Sequence, residues 1–120
     1  MRQVTYRDVT VMKEYITIEG NEAGAGGAST EYDIHVDMGD NGNYTSNFRF
    51  QTGNPAEEVN GLTNEALLSV VLDRLQGFAK GPFPSRETSI AITKIEEALH
   101  WMHSRSLERE DRGVLGKLIK

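Results

Sequence analysis

Residues 60–112 read NGLTNEALLSVVLDRLQGFAKGPFPSRETSIAITKIEEALHWMHSRSLEREDR, and this stretch decides the fold. Thr63 is an N-cap residue by type, and Glu65 places an acid in the first turn behind it. Leu68, Val71, Leu75 and Phe78 then recur at spacings of three, four and three, which lays one apolar stripe along a helix. Gly77 and Gly81, followed by Pro82, Phe83 and Pro84, stop that helix and turn the chain. Ser85 is placed to cap a second, longer helix with Glu87 in its first turn. Its apolar side runs Thr88, Ile92, Ile95, Leu99, Met102 and Ser106, a seam suited to packing on the first helix. Gly113 and Gly116 end it and leave a short basic tail, Lys117, Leu118, Ile119 and Lys120. The spacing therefore predicts an antiparallel helical hairpin over 63–112 and a tail over 113–120.

Upstream the period changes to two. Tyr32, Ile34, Val36 and Met38 alternate with Asp33, His35 and Asp37, the pattern of a strand with one buried and one wet face. Asn41-Gly42 favours a tight turn with positive φ, and Tyr44 to Gln51, with Phe48 and Phe50 flanking Arg49, completes a β-hairpin. Val9, Val11, Ile16 and Ile18 predict one long strand or two shorter ones, joined onward by the glycine-rich loop 24–27. Composition shifts at Thr52-Gly53-Asn54-Pro55, which ends the last strand. The expected fold class is α+β: an N-terminal antiparallel β-sheet over 1–53, a linker over 54–62 and the C-terminal helical hairpin, in a single domain of 120 residues.

Charge is segregated along the chain. The net charge is −5, which disfavours a duplex-binding protein, since affinity for DNA comes mostly from Lys and Arg on many phosphates. Residues 1–60 carry four bases against ten acids, whereas residues 61–120 carry nine against eight. Arg105, Arg109 and Arg112 concentrate the basic character further, on one side of the second helix with Ala98 and Trp101 upstream. Guanidinium groups hold phosphate in a bidentate fork and stack on rings, so three arginines suit one small phosphate-bearing ligand better than a polymer. The competing reading is that they are solvated or pair with Glu108, Glu110 and Asp111. With no cysteine, no apolar run of the ~20 residues a membrane span needs, and no apolar core in MRQVTYRDV, the expectation is a soluble, cytoplasmic protein.

Catalytic motifs are not recognisable. Glu97, His100 and His103 resemble part of a helix-borne metal site, but bundle sites use such a motif twice with two further glutamates, and neither that nor the metalloprotease order is complete. The glycine loop lacks a following GK[ST], and Ser29 stands where a dinucleotide fingerprint wants glycine, which leaves a hairpin loop. No catalytic residue, metal or cofactor is expected. Phe78 has two readings, as the last core residue of its stripe or as a ring at a helix end on which a nucleobase stacks. Trp101 divides in the same way between subunit interface and ligand platform.

The runs VNGLTNEALLSVVLDRLQGF, GPFPSRETS, AITKIEEALHWM and SRSLEREDRGVLG closely resemble the C-terminal hairpin of the phage anti-Thoeris sponge proteins, a domain shared with anti-CBASS sponges. The resemblance covers about half of the chain, from residue 60 to residue 116. It implies a phage-encoded, non-enzymatic protein that captures the cyclic ADP-ribose-type signal of a host TIR-domain enzyme. It further implies dimers that often build hexamers, signal pockets at subunit interfaces and, in some members, separate sites for cyclic di- or trinucleotides. Carried over by motif, Phe78 of RLQGF looks like the ring that stacks on adenine, and Arg105 and Arg109 like the arginines that engage base and phosphates. Thr88 stands where the family commonly has asparagine, and a hydroxyl does not offer the paired donor and acceptor of an amide. Two other functions fit the residues less closely: a small nucleotide hydrolase using Glu97, His100 and His103, and a phage protein-interaction adaptor in which the hairpin only oligomerises.

Overall fold

The computed structural model describes residues 1–118 and divides into two compact units, Met1–Gly61 and a second that begins at Leu62. The architecture is α+β, a four-stranded antiparallel sheet followed by two helices.

In the first unit β1 (Arg2–Val4), β2 (Ile16–Gly20), β3 (Glu31–Asp37) and β4 (Asn43–Arg49) follow one another in chain order across the sheet. The registers Ile16↔Val36, Ile18↔Ile34 and Tyr32↔Phe48 gather the apolar side chains on one face. Thr17↔His35↔Thr45 and Glu19↔Asp33↔Asn47 line the other, as the alternation in β3 requires. Tyr32 and Phe50 meet edge to face at 5.6 Å. The β2–β3 connection is held by buried Ser29, whose hydroxyl donates to the Asn21 carbonyl at 2.6 Å and accepts from Arg2 Nη2 at 2.7 Å. The glycine loop is thus a braced hairpin loop.

One expectation for this unit needs correction. Val9 and Val11 lie outside the strands and are 85% and 71% exposed; β1 forms at Arg2–Val4 instead. Beyond β1 the Asp8 carboxylate accepts from the Thr10 hydroxyl and amide at 2.7 and 2.8 Å, bonds that bend the chain there and hold the carboxyl below its ordinary pKa. The β3–β4 connection is a tight turn with positive φ, as expected, built on a short 3-10 segment, Gly39–Asn41. Gly39 and Gly42 both take positive φ, 59° and 89°, and Asn41 does not. Residues 54–61 return beside the chain that follows β4: Asn60 Oδ1 accepts from Thr52 N–H, and Asn60 N–H donates to Gln51 Oε1. A Cβ on Gly61 would collide with the backbone of Phe50 and Gln51, so that crossing needs glycine.

The second unit is the hairpin of α1 (Asn64–Lys80) and α2 (Arg86–Asp111). Thr63 Oγ1 accepts from Ala66 N–H at 3.1 Å and Ser85 Oγ from Thr88 N–H at 3.0 Å, the two caps the residue types predict. Gly77 lies inside α1, which runs on to Lys80. The α2 seam is the expected one, with Thr88, Ile92, Ile95, Leu99, Met102 and Ser106 all half-buried. The α1 seam is rotated from the expected one. Leu68, Leu72, Leu75 and Ala79 turn inward, while Val71 and Phe78 are 47% and 51% exposed. Of the expected basic tail, Ile119 and Lys120 lie outside the described residues. Among the described residues no helix is long and apolar enough to cross a membrane.

Candidate functional site on the helical hairpin

Phe78 occupies the last turn of α1 with half of its ring open, and the Arg74 guanidinium lies 5.5 Å from the ring centroid. Arg74 is four residues upstream, one turn along the same face, so a cation and an aromatic ring form one surface there. The expected site did not include Arg74; its signal was the i,i+4 spacing to Phe78.

Thr88 stands in the first turn of α2, and its Oγ1 accepts from the Ser85 hydroxyl at 2.9 Å. The hydroxyl is therefore part of the cap, and its own proton and one lone pair are what it has left to offer a ligand. Because α1 and α2 are antiparallel neighbours joined by a short turn, Phe78 and Thr88 both belong to the turn end of the hairpin.

Arg105 and Arg109 belong to the other end. Seventeen residues of helix separate Thr88 from Arg105, about 25 Å at 1.5 Å per residue. One chain therefore places Phe78 and Thr88 toward one end of the hairpin and Arg105 and Arg109 toward the other, and does not bring the two pairs together. The three arginines also differ in surroundings. Arg105 Nη1 is 3.6 Å from Glu108 Oε2, and Arg112 Nε pairs with the other oxygen of the same carboxylate. Arg109 is half-buried, and its Nη2 donates to the carbonyls of Val114 and Lys117 at 2.9 and 2.6 Å. It closes the chain past Gly113 against the end of α2, a role the helical spacing did not reveal.

The residues of the hydrolase alternative are engaged separately. Glu97 pairs with Lys94 at 3.8 Å, and His100 meets Trp101 edge to face at 5.7 Å. Among the described residues no three His, Cys, Asp or Glu side chains gather as a metal site. The sheet unit carries a groove of about 380 Å³ lined by Glu14, Tyr15, Thr17, His35, Asp37 and Thr45. Its two carboxylates and lack of arginine make it a poor place for a phosphate.

The family described as Acb2/Tad1, hairpin domain, matches residues 45–106, just over half of the chain, from β4 into the last third of α2. This chain belongs to that family. It is also similar to "Thoeris anti-defense 1" of Bacillus phage SBSphiJ7, with 50% identity over 68 residues, which is 56% of this chain and 48% of that protein. The chain thus spans about half the length of the curated relative it matches. Within the Acb2/Tad1 hairpin match lie Arg74, Phe78, Thr88 and Arg105, while Arg109 and Arg112 fall beyond its end.

Proposed function

We propose that this protein is a phage anti-defence sponge that binds a cyclic ADP-ribose-type nucleotide made by a host TIR-domain enzyme and holds it without cleaving it. The observation that carries the reading is the Acb2/Tad1 hairpin match together with the relative's name, Thoeris anti-defense 1. The chemistry of the hairpin supports it. A half-open ring beside a guanidinium at one end, and two further arginines at the other, supply stacking and phosphate pairing. The site residues are Phe78, Thr88, Arg105 and Arg109, to which Arg74 is added.

The 25 Å between the two pairs gives the proposal its form. A small cyclic nucleotide reaches both only if a second copy of the hairpin lies antiparallel to the first, so that the turn end of one faces the arginine end of the other. Such a pair is isologous and forms two equivalent pockets. Phe83 at 82% and Trp101 at 71% exposure are large apolar side chains that such an assembly would cover. The protein is accordingly a homo-oligomer based on dimers, and the mass of the native assembly in solution distinguishes a dimer from a hexamer. Cyclic di- and trinucleotides are the second ligand class to test.

The deciding experiment is co-expression with an active TIR defence enzyme, followed by heating the purified protein and mass spectrometry of what it releases. The expected result is an intact cyclic ADP-ribose isomer together with a raised melting temperature of the loaded protein. Release of a hydrolysed product, or of no nucleotide, overturns the proposal.

A further inference from the structure

We infer that β4 is an interface with a second copy of this chain, through antiparallel pairing of the two β4 strands about a two-fold axis at Ser46. The inference concerns the sheet unit and goes beyond nucleotide capture by the hairpin. It begins with where the backbone groups of β4 point. Phe50 N–H donates to the Thr30 carbonyl at 2.8 Å, which fixes Thr30–Phe50 as a hydrogen-bonded pair. Such pairs alternate along an antiparallel ladder, so Tyr44, Ser46 and Phe48 bond inward to β3. Asn43, Thr45, Asn47 and Arg49 then direct their N–H and C=O groups to the outer edge. Among the described residues none of those outward groups has a backbone partner.

An edge of this kind is usually blunted by shortness, proline, a bulge or an outstanding charge. The opposite edge uses the first device, since β1 is three residues long. β4 uses none of them. It spans seven residues, NYTSNFR, with no proline and no lysine, and pairs one to one with β3 without a bulge. Its one charge, Arg49, is turned along the sheet face to Glu31 at 3.2 Å. Asn43, Tyr44, Thr45, Asn47 and Arg49 are all exposed, Tyr44 at 55%.

The sequence of β4 points to a second β4 as the occupant. Reversed about Ser46, every one of its residues finds a partner: Tyr44 opposite Phe48, Thr45 opposite Asn47 and Asn43 opposite Arg49. The aromatic pair continues the apolar face, no like charges meet, and the outward groups of residues 43, 45, 47 and 49 fall opposite one another as hydrogen-bonded pairs. Charge is compatible with the same edge. Residues 1–60 hold ten acids against four bases, and β4 holds none of those acids, so two copies of it meet without facing carboxylates.

The absence of cysteine makes the test direct. Ser46 would face its own copy in a non-hydrogen-bonded pair with Cα atoms about 4.5 Å apart, within the range a disulfide spans. In the full chain, Ser46→Cys under mild oxidation is expected to give a disulfide-linked dimer at dilutions where Asn43→Cys stays un-cross-linked. The two copies of position 43 would be about 20 Å apart at ~3.3 Å per residue. Adding Thr45→Pro, which removes an outward donor and leaves the β3 ladder intact, is expected to abolish the Ser46→Cys cross-link with the far-ultraviolet circular dichroism unchanged. The inference is overturned if Ser46→Cys does not cross-link, whether the edge is bare or takes a strand from another protein. Equal cross-linking of both cysteine variants, or cross-linking that survives Thr45→Pro in a folded protein, overturns it too.

Discussion

Arg109 and Arg105, one turn apart on α2, are expected to fail differently. Arg109 donates to two carbonyls beyond the helix end, so Arg109→Ala removes a charged donor from one part-buried and one exposed acceptor. The expected cost is about 1 to 2 kcal/mol of hairpin stability, seen as a lower melting temperature in the unliganded protein. Arg105 faces a single exposed carboxylate, and exposed ion pairs contribute roughly 0 to 1 kcal/mol. Arg105→Ala should therefore leave melting nearly unchanged and weaken nucleotide binding, measured by calorimetry. Phe78→Ala belongs with Arg105→Ala. The ring is 51% exposed, so the fold loses little, whereas losing a stacked base costs about 1 to 3 kcal/mol, or roughly 5- to 150-fold in affinity. A melting loss for Phe78→Ala as large as that for Arg109→Ala would place Phe78 in the core and remove it from the site.

At the scale of the elements, the helices were legible because their ends carry local chemistry. Thr63 and Ser85 accept the first amides of α1 and α2 with side chains next to them in the chain, so no distant contact is needed to place them. Which stripe of α1 faces inward was not legible. Val70, Val71 and Leu72 are consecutive apolar residues, and 68-71-75-78 and 68-72-75-79 are both helical spacings. Packing on α2 selects the second. Leu72→Ala is accordingly expected to cost about 1 to 2 kcal/mol for a half-buried leucine and Val71→Ala well under 1; equal costs in denaturant unfolding would restore the stripe through Val71. The β strands follow the same division. β3 announces itself by strict alternation, while Val9 and Val11 have strand propensity but sit where Asp8 and Thr10 bond each other and turn the chain. The Arg109 contacts were hidden because they depend on the chain reversing beyond Gly113.

For the whole molecule, the decisive geometric fact is that no single hairpin assembles the proposed pocket. Among the described residues no apolar side chain is fully buried, and a small unit with so open a core gains from association. If each pocket takes Phe78 from one copy and Arg105 from the other, the two defective variants should complement each other. Phe78→Ala retains Arg105, and Arg105→Ala retains Phe78, so a mixed dimer contains one pocket with both groups and one with neither. Each variant alone should bind nucleotide weakly. After co-refolding equal amounts, calorimetry should recover tight binding at about a quarter of all sites, since half of the dimers are mixed and each restores one pocket of two. A pocket built within one chain gives a different result. Each of its sites would lack the same group after mixing as before, and no tight fraction would appear at any ratio of the two variants. The stoichiometry of the recovered fraction thus tests the shared pocket independently of how tightly either variant binds alone.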